Sequence, residues 1–248
     1  LILRPSHAVF VTDNRLSRGR TWICSNGLEL NRALTEWQET QPLMVQPFID
    51  GNGEGVFGLA TAHGIRGWSG HRRLRMMNPH GSGSSACMSQ AVRPEIQAAV
   101  ERLIESANWR GLFMIELLRD RSGKSWFVEL NGRPWGSMAL SRRQGLEYPA
   151  WSVMAMLCPN VVVNVPEPKG QPVVCRNVGR EVMHLLFVLR GPKSKALRGW
   201  PSVWGTVRQL LYINRDQQLY NWRRDDPKVF VTDFWYTIHA HLCKSSRK

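Results

Sequence analysis

Residues 111–131 read GLFMIELLRDRSGKSWFVELN, two runs of alternating apolar residues on either side of the short polar segment RSGK. With RSGK as a hairpin turn and Ser122 and Gly123 at its tip, antiparallel pairing sets Glu116 directly opposite Glu129. Side chains alternate between the two faces of a strand. Phe113, Ile115, Leu117, Trp126, Val128 and Leu130 then share one apolar face, which has to be buried. Glu116, Glu129, Asn131 and Arg133 share the other. A slip of one residue would send the apolar set to the wrong side, so register and core depend on each other.

Like charges directly opposed across a ladder destabilise a sheet. Such a pair persists when a cation lies between the two groups or when one carboxylate stays protonated. Two carboxylates and an amide form an all-oxygen donor set, suited to a hard ion such as Mg²⁺ that completes its shell with water and substrate phosphates. In the competing reading both glutamates reach solvent and pair with nearby arginines. Residue pairing alone leaves the two level.

The 248 residues are 43% apolar, enough for one large core or two modest ones. The longest apolar stretches are short or interrupted by Pro159 and Asn160, so no membrane-spanning helix is expected. Five cysteines (Cys24, Cys87, Cys158, Cys175 and Cys243) are scattered singly, without a C-x-x-C. Buried thiols in a reducing compartment, and hence a cytoplasmic protein, fit this pattern better than a disulfide framework or a zinc site. The seven histidines show no metal-ligand spacing, and there is no G-x-S-x-G elbow or G-K-[ST] phosphate loop. A net charge of +14 favours an anionic ligand or partner.

Along the chain, LILRP, AVFV and RTWIC read as strands, followed by a helix over SNGLELNRALTEWQET capped by Ser25, with Leu30, Leu34 and Trp37 on one face. PLMVQPFID and GVFGLATA read as two strands joined by a GNGEG turn. HGIRGWSGHRRLRMM precedes the flexible stretch NPHGSGSSA, and alternation puts His71, Arg73 and Arg75 on one face. RPEIQAAVERLIESANW has helical periodicity through Ile96, Val100, Leu103 and Ala107. A loop and a helix run through GSMALSRRQGLEYP. From residue 160 a proline-rich connector leads into basic, tryptophan-containing segments of predicted helix, with 15 Lys/Arg against 6 Asp/Glu.

The segment IELLRDRSGKSWFVELNGRPWGS resembles the carboxy-terminal hairpin of the ATP-grasp superfamily. In that family an acidic residue on one strand and an E-x-N pair on the next hold the magnesium ions that bridge the ATP phosphates, with an arginine two residues on. Glu116, Glu129 and Asn131 match as metal ligands and Arg133 as the catalytic arginine. LILRP resembles the strand whose basic residue, here Arg4, reaches the phosphates. MVQPFIDGNGEGV resembles the adenine linker, implying contacts from the Gln46 carbonyl and the Ile49 N–H, with Glu54 toward the ribose. HRRLRMMNPHGSGSS resembles the arginine-bearing strand and Gly/Ser segment near the phosphates, with Arg73 as the contact. The resemblance covers roughly residues 1–155 and comes closest to the subgroup like carbamoyl-phosphate synthase and the carboxylate–amine ligases. Two positions depart from it. Arg4 replaces the usual lysine, and Pro47 stands where an acidic or polar residue is common and removes an N–H donor.

The resemblance implies an α+β ATP-grasp fold, antiparallel sheets with flanking helices clamping ATP. It would occupy residues 1–159, incomplete at the amino-terminal side, with a basic, mainly helical C-terminal extension over 160–248. It implies an ATP-dependent ligase that activates a carboxylate as an acyl phosphate for attack by an amine, or by a thiol. Magnesium, replaceable by manganese, would be the metal, and small-molecule or peptide carboxylates and amines the substrates. A non-catalytic ATP-binding regulatory or scaffolding relative is the alternative, favoured by Arg4 and Pro47. A nucleic-acid-binding module, resting on the basic tail with Trp200, Trp204, Trp222 and Trp235, is the weakest of the three.

Overall fold

In a computed structural model of the chain, residues 1–7, 9–12, 15–37, 42–81, 83–168, 170–192, 199–212 and 217–245 are described. They divide between two compact units, Leu1–Asp50 with Pro192–Trp200, and Gly51–Gly191 with Pro201–Lys248. The first unit holds β1 (Ile2–Pro5), β2 (Val9–Thr12), β3 (Arg15–Arg18), β4 (Trp22–Ile23), α1 (Gly27–Glu36) and β5 (Leu43–Gln46). Strand β1 pairs antiparallel with β4 on one side and β5 on the other, while β2 and β3 form a separate ribbon. Leu3, Cys24 and Ala33 are its buried core, with Trp22, Leu30 and Leu43 packed around them.

The cap of α1 falls one residue later than expected. Asn26 Oδ1 accepts the Glu29 N–H at 2.9 Å, and Ser25 donates its N–H and hydroxyl back to the Glu29 carboxylate. This exchange satisfies donors at both ends of the first turn.

The second unit contains β6 (Gly51–Thr61), β7 (Gly64–Met76), β8 (Ser84–Gln90), α2 (Pro94–Ser106), β9 (Gly111–Asp120), β10 (Ser125–Asn131), α3 (Met138–Arg143), α4 (Tyr148–Leu157), β11 (Val174–Arg176), α5 (Val178–Arg190), α6 (Val203–Leu211), β12 (Gln217–Leu219) and α7 (Pro227–Ser245). Seven strands form one sheet in the order β10-β9-β6-β7-β8-β11-β12, antiparallel except for the β11–β12 pair. Both faces are covered. On one, Val56, Phe113, Ile115 and Leu117 pack against Val100 and Ile104 of α2. On the other, Phe57, Leu59 and Met114 meet Trp135, Leu146, Tyr148 and Trp151 from the segments that follow the hairpin. Burial on both sides explains why β6 is buried without interruption from Gly53 to Ala60.

Three local expectations are corrected. GNGEG is no turn; it is the first part of β6. GSMALSRRQGLEYP is split between α3 and α4, because Gly145 has φ +89° and Pro149 suits only the first turn of a new helix. Residues 174–176 and 217–219, read as tail, are strands of the main sheet, and the compact units divide at residue 50 and around residues 191–201 instead of at 159.

The tail is fixed to the sheet by a buried charge cluster. Glu181 on α5 accepts from Arg75 Nε of β7 at 2.8 Å and from Arg176 Nε of β11 at 2.7 Å. Arg176 also donates to the carbonyls of Leu210 and Tyr212 and to Gln217 Oε1. One carboxylate thus joins β7 to β11, and Arg176 extends the link to the end of α6 and to β12. Removing the shared partner of a buried ionic group leaves uncompensated charge, so Glu181→Ala is expected to destabilise the second unit by about 3–5 kcal/mol. Urea denaturation followed by tryptophan fluorescence measures this, and a loss under 1 kcal/mol would show the cluster to be solvated.

Candidate functional site

The β9–β10 ladder places Glu129 opposite Glu116, Leu130 opposite Ile115 and Asn131 opposite Met114. The register expected at the Glu116–Glu129 end of the hairpin is therefore the observed one. It breaks between Phe127 and Glu129, where a bulge sets Phe127 opposite Leu117 and Trp126 opposite Leu118. Trp126 consequently leaves the Ile115–Leu117 row, and its indole N–H donates to Asp120 Oδ2 at 2.7 Å. Bulges re-aim side chains near sheet edges, and this one sits immediately before Glu129.

The carboxylate face continues across the sheet. Gly55 pairs with Glu116 on one side and with His71 on the other, and His71 pairs with Ser89. Glu129, Glu116, Gly55, His71 and Ser89 form one transverse row. In the adjoining row Arg73 on β7 crosses β6 above Gly53 and reaches Glu116 Oε1 with Nη2 at 2.8 Å. The glycines make the crossing possible. A Cβ at Gly53 would stand 2.6 Å from Arg73 Cδ, and one at Gly55 would stand 2.7 Å from Phe57 Cζ and 2.8 Å from His71 Nε2. The cation demanded by the facing carboxylates is thus Arg73.

Asn131 Nδ2 donates to Glu129 Oε1 at 2.7 Å, holding amide and carboxylate together at the exposed edge of this face. Arg133 lies past the end of β10, exposed, donating to the Pro134 carbonyl at 3.2 Å. The chain leaves the strand at Gly132 under the ring of Trp109, where a Cβ would come within 2.2 Å of the indole. Strand alternation therefore does not set the direction of Arg133.

His71 is 2% exposed. Its Nδ1 lies 2.8 Å from Ser137 Oγ, and its ring meets Phe57 edge-on at 4.9 Å, while Trp135 stacks on the same phenyl at 4.4 Å. Burial, reinforced by the positive charge of Arg73, lowers its pKa to about 3, so it is a neutral imidazole at ordinary pH. The expected row of His71, Arg73 and Arg75 is interrupted by a register shift between Arg73 and Arg75. That shift puts Arg75 out of step and sends its guanidinium to Glu181.

Glu54 is not part of this face. It pairs with Leu117 across the β6–β9 ladder, which places it on the α2 side of the sheet. Its carboxylate, 4% exposed, is held by Arg93 Nη2 at 3.0 Å and approached by Arg119 Nη1 at 3.7 Å. The ribose contact expected of it is replaced by a buried ion pair. Arg4, Gln46 and Ile49 belong to the first unit, Arg4 and Gln46 on β1 and β5 and Ile49 just beyond β5. There Arg4 Nη2 lies 3.6 Å from Met44 Sδ. Among the described residues no cluster of three His, Cys, Asp or Glu side chains is arranged to hold a metal.

No family model matches the chain, and no curated protein is similar to it. Solved structures are. The N5-carboxyaminoimidazole synthetase of Staphylococcus aureus, complexed with ADP, is 15% identical and superposes with a TM-score of 0.53 over 68% of this chain and 46% of its own. An N5-carboxyaminoimidazole ribonucleotide synthetase, also an ADP complex, is 13% identical with a TM-score of 0.53, over 77% of this chain and 50% of its own. The chain therefore spans half or less of the length of the structures it matches, and the likeness is one of fold.

Two outcomes follow from the packing of the central row. Gly55→Ala should cost about 1–3 kcal/mol in urea denaturation, because both rings it would strike are buried. A histidine held below its unfolded pKa of roughly 6.5 keeps its full stability contribution above that pH and loses it as the pH falls toward 3, by at most about 1.4 kcal/mol per unit. Stability should accordingly decline below roughly pH 6.5, with a shallower slope in His71→Gln. Equal slopes in the two proteins would assign the acid sensitivity elsewhere.

Proposed function

The chain has the fold of the ATP-grasp enzymes, and on that premise we propose that it is an ATP-dependent ligase that activates a carboxylate as an acyl phosphate for attack by an amine. The observation that carries this reading is the single sheet face on which Glu116, Glu129 and Asn131 converge. Arg73 offsets the charge of Glu116, and a divalent ion held by this set would offset both opposed carboxylates at once.

The donor set fits a hard divalent cation. Glu116 and Glu129 supply anionic oxygens, and Asn131, donating through its N–H₂ to Glu129, keeps its carbonyl oxygen for a ligand. These three residues would hold magnesium, or manganese in its place. A divalent ion there would offset the charge of the ATP phosphates and so favour attack on the γ-phosphate.

The protein's own groups do the rest. Arg73, which pairs with Glu116, would steer the phosphates from the same face. Arg133, exposed next to the metal ligands, would stabilise the transferring phosphoryl group. Arg4, Gln46 and Ile49 are carried as nucleotide contacts on the resemblance alone. Substrates are small-molecule or peptide carboxylates and amines.

Magnesium and ATP together should raise the thermal stability of the protein well beyond either alone, by about 2.7 kcal/mol at a hundredfold excess over Kd. Glu129→Gln should abolish the magnesium-dependent part, and Arg133→Ala should keep most of it while losing phosphate release. A wild-type protein that shows the joint stabilisation but releases no phosphate with any pool of carboxylates and amines would be a binding protein, and the ligase reading would be rejected.

A further inference from the structure

We infer that a cavity on the carboxylate-bearing side of the second unit, bounded by His71, Arg73, Arg180 and Tyr220, binds the oxyanion group of a small ligand, a carboxylate or a phosphate. The cavity measures about 70 Å³. That exceeds the roughly 10–15 Å³ a single water needs, yet it is far too small for a nucleotide base or a sugar. Ser84 and Ser137 complete its walls, with the backbone at Gly83 and Gly136, and no carboxylate lines it.

Its electrostatics are one-sided. Arg73 is balanced by Glu116. Arg180 has no ion pair among the described residues, and the one hydrogen bond of its guanidinium there runs from Nη1 to the Ser84 carbonyl at 3.2 Å. The two glycines leave that nitrogen open, since a Cβ at Gly83 or Gly136 would stand 3.7 or 3.6 Å from it. Three buried polar atoms on the cavity residues, His71 Nε2, Arg73 Nε and the Tyr220 hydroxyl, have no hydrogen-bond partner. Tyr220 is 9% exposed, and the Cys87 thiol lies beside its hydroxyl.

A buried donor without a partner destabilises the fold, and an oxyanion in this cavity would give these groups an acceptor while compensating Arg180. Guanidinium groups recognise carboxylate and phosphate through paired N–H donors. Arg180 and Tyr220 come from beyond residue 160, so that region contributes recognition as well as packing. Arg73 is shared with the proposed phosphate-steering set, whereas Arg180 and Tyr220 are not, and the test below turns on Arg180 and reads no ATP chemistry.

The experiment is calorimetric titration of the chain with inorganic phosphate and, separately, with acetate. One anion per chain should bind, and Arg180→Gln should weaken it by about tenfold or more through loss of a charge-assisted contact. Arg180→Lys should fall between the two, and Arg223→Gln, which alters an exposed pair with Asp225, should change nothing. Binding of phosphate alone assigns a phosphoryl group, and binding of acetate alone a carboxylate; either supports the site. No binding of either anion, or unchanged binding in Arg180→Gln, overturns it. Should Arg180→Gln fail to fold, undiminished affinity in Arg180→Lys overturns it equally.

Discussion

The ion pair between Arg73 and Glu116 governs the middle of the second unit. Two glutamates face each other across β9 and β10, and the sheet tolerates them because a guanidinium from a strand two positions away lies against one of them. For that side chain to arrive, the intervening strand must carry no side chains, and β6 has Gly53 and Gly55 at the two crossing points. The neutral His71 fills the second opening and is itself held by Ser137 and Phe57. Charge pairing, glycine placement and aromatic packing are one arrangement, and altering any part displaces the others.

Around this arrangement the sheet is sealed from both sides. Helix α2 covers the Leu117 side, and the Trp135–Tyr148–Trp151 group covers most of the other. The covering stops short of Glu116, Glu129 and Asn131, so the polar end of the same face is the part available to ligands. Low-dielectric packing at one end and charge at the other is an arrangement in which a bound anion or cation is felt strongly. The Glu181 cluster does the equivalent for the tail, tying α5 and β11 to β7 and thereby fixing Arg180 and Tyr220 where they border the small basic cavity.

The fold and the proposed chemistry are linked through charge. Arg73 pairs with Glu116, one of the three residues proposed to hold a divalent ion. The matching structures, two synthetases complexed with ADP, share this fold at low identity over about half their length. They support the architecture and leave the chemistry to be decided by the residues of this chain.

Much was legible in the sequence where local pattern and pairing coincide. The turn at RSGK, the opposition of Glu116 and Glu129, the α2 helix and the apolar face of β9 all follow from alternation, periodicity and turn chemistry within a short segment. What depended on distant strands was not legible. GNGEG has the composition of a turn, and only the approach of Arg73 and His71 from β7 explains its glycines within a strand. Glu54 has the position of a ribose contact in the linker, but the register of β6 against β9 turns it to the α2 side, where Arg93 takes it. Arg180 and Tyr220 carry no motif, and they acquire meaning because β11 and β12 join the sheet. The sequence alone determined which residues bear charge and which alternate into the core; the tertiary structure decided which charges meet, because the partners of a residue in a sheet are set by register and crossing between strands far apart in the chain.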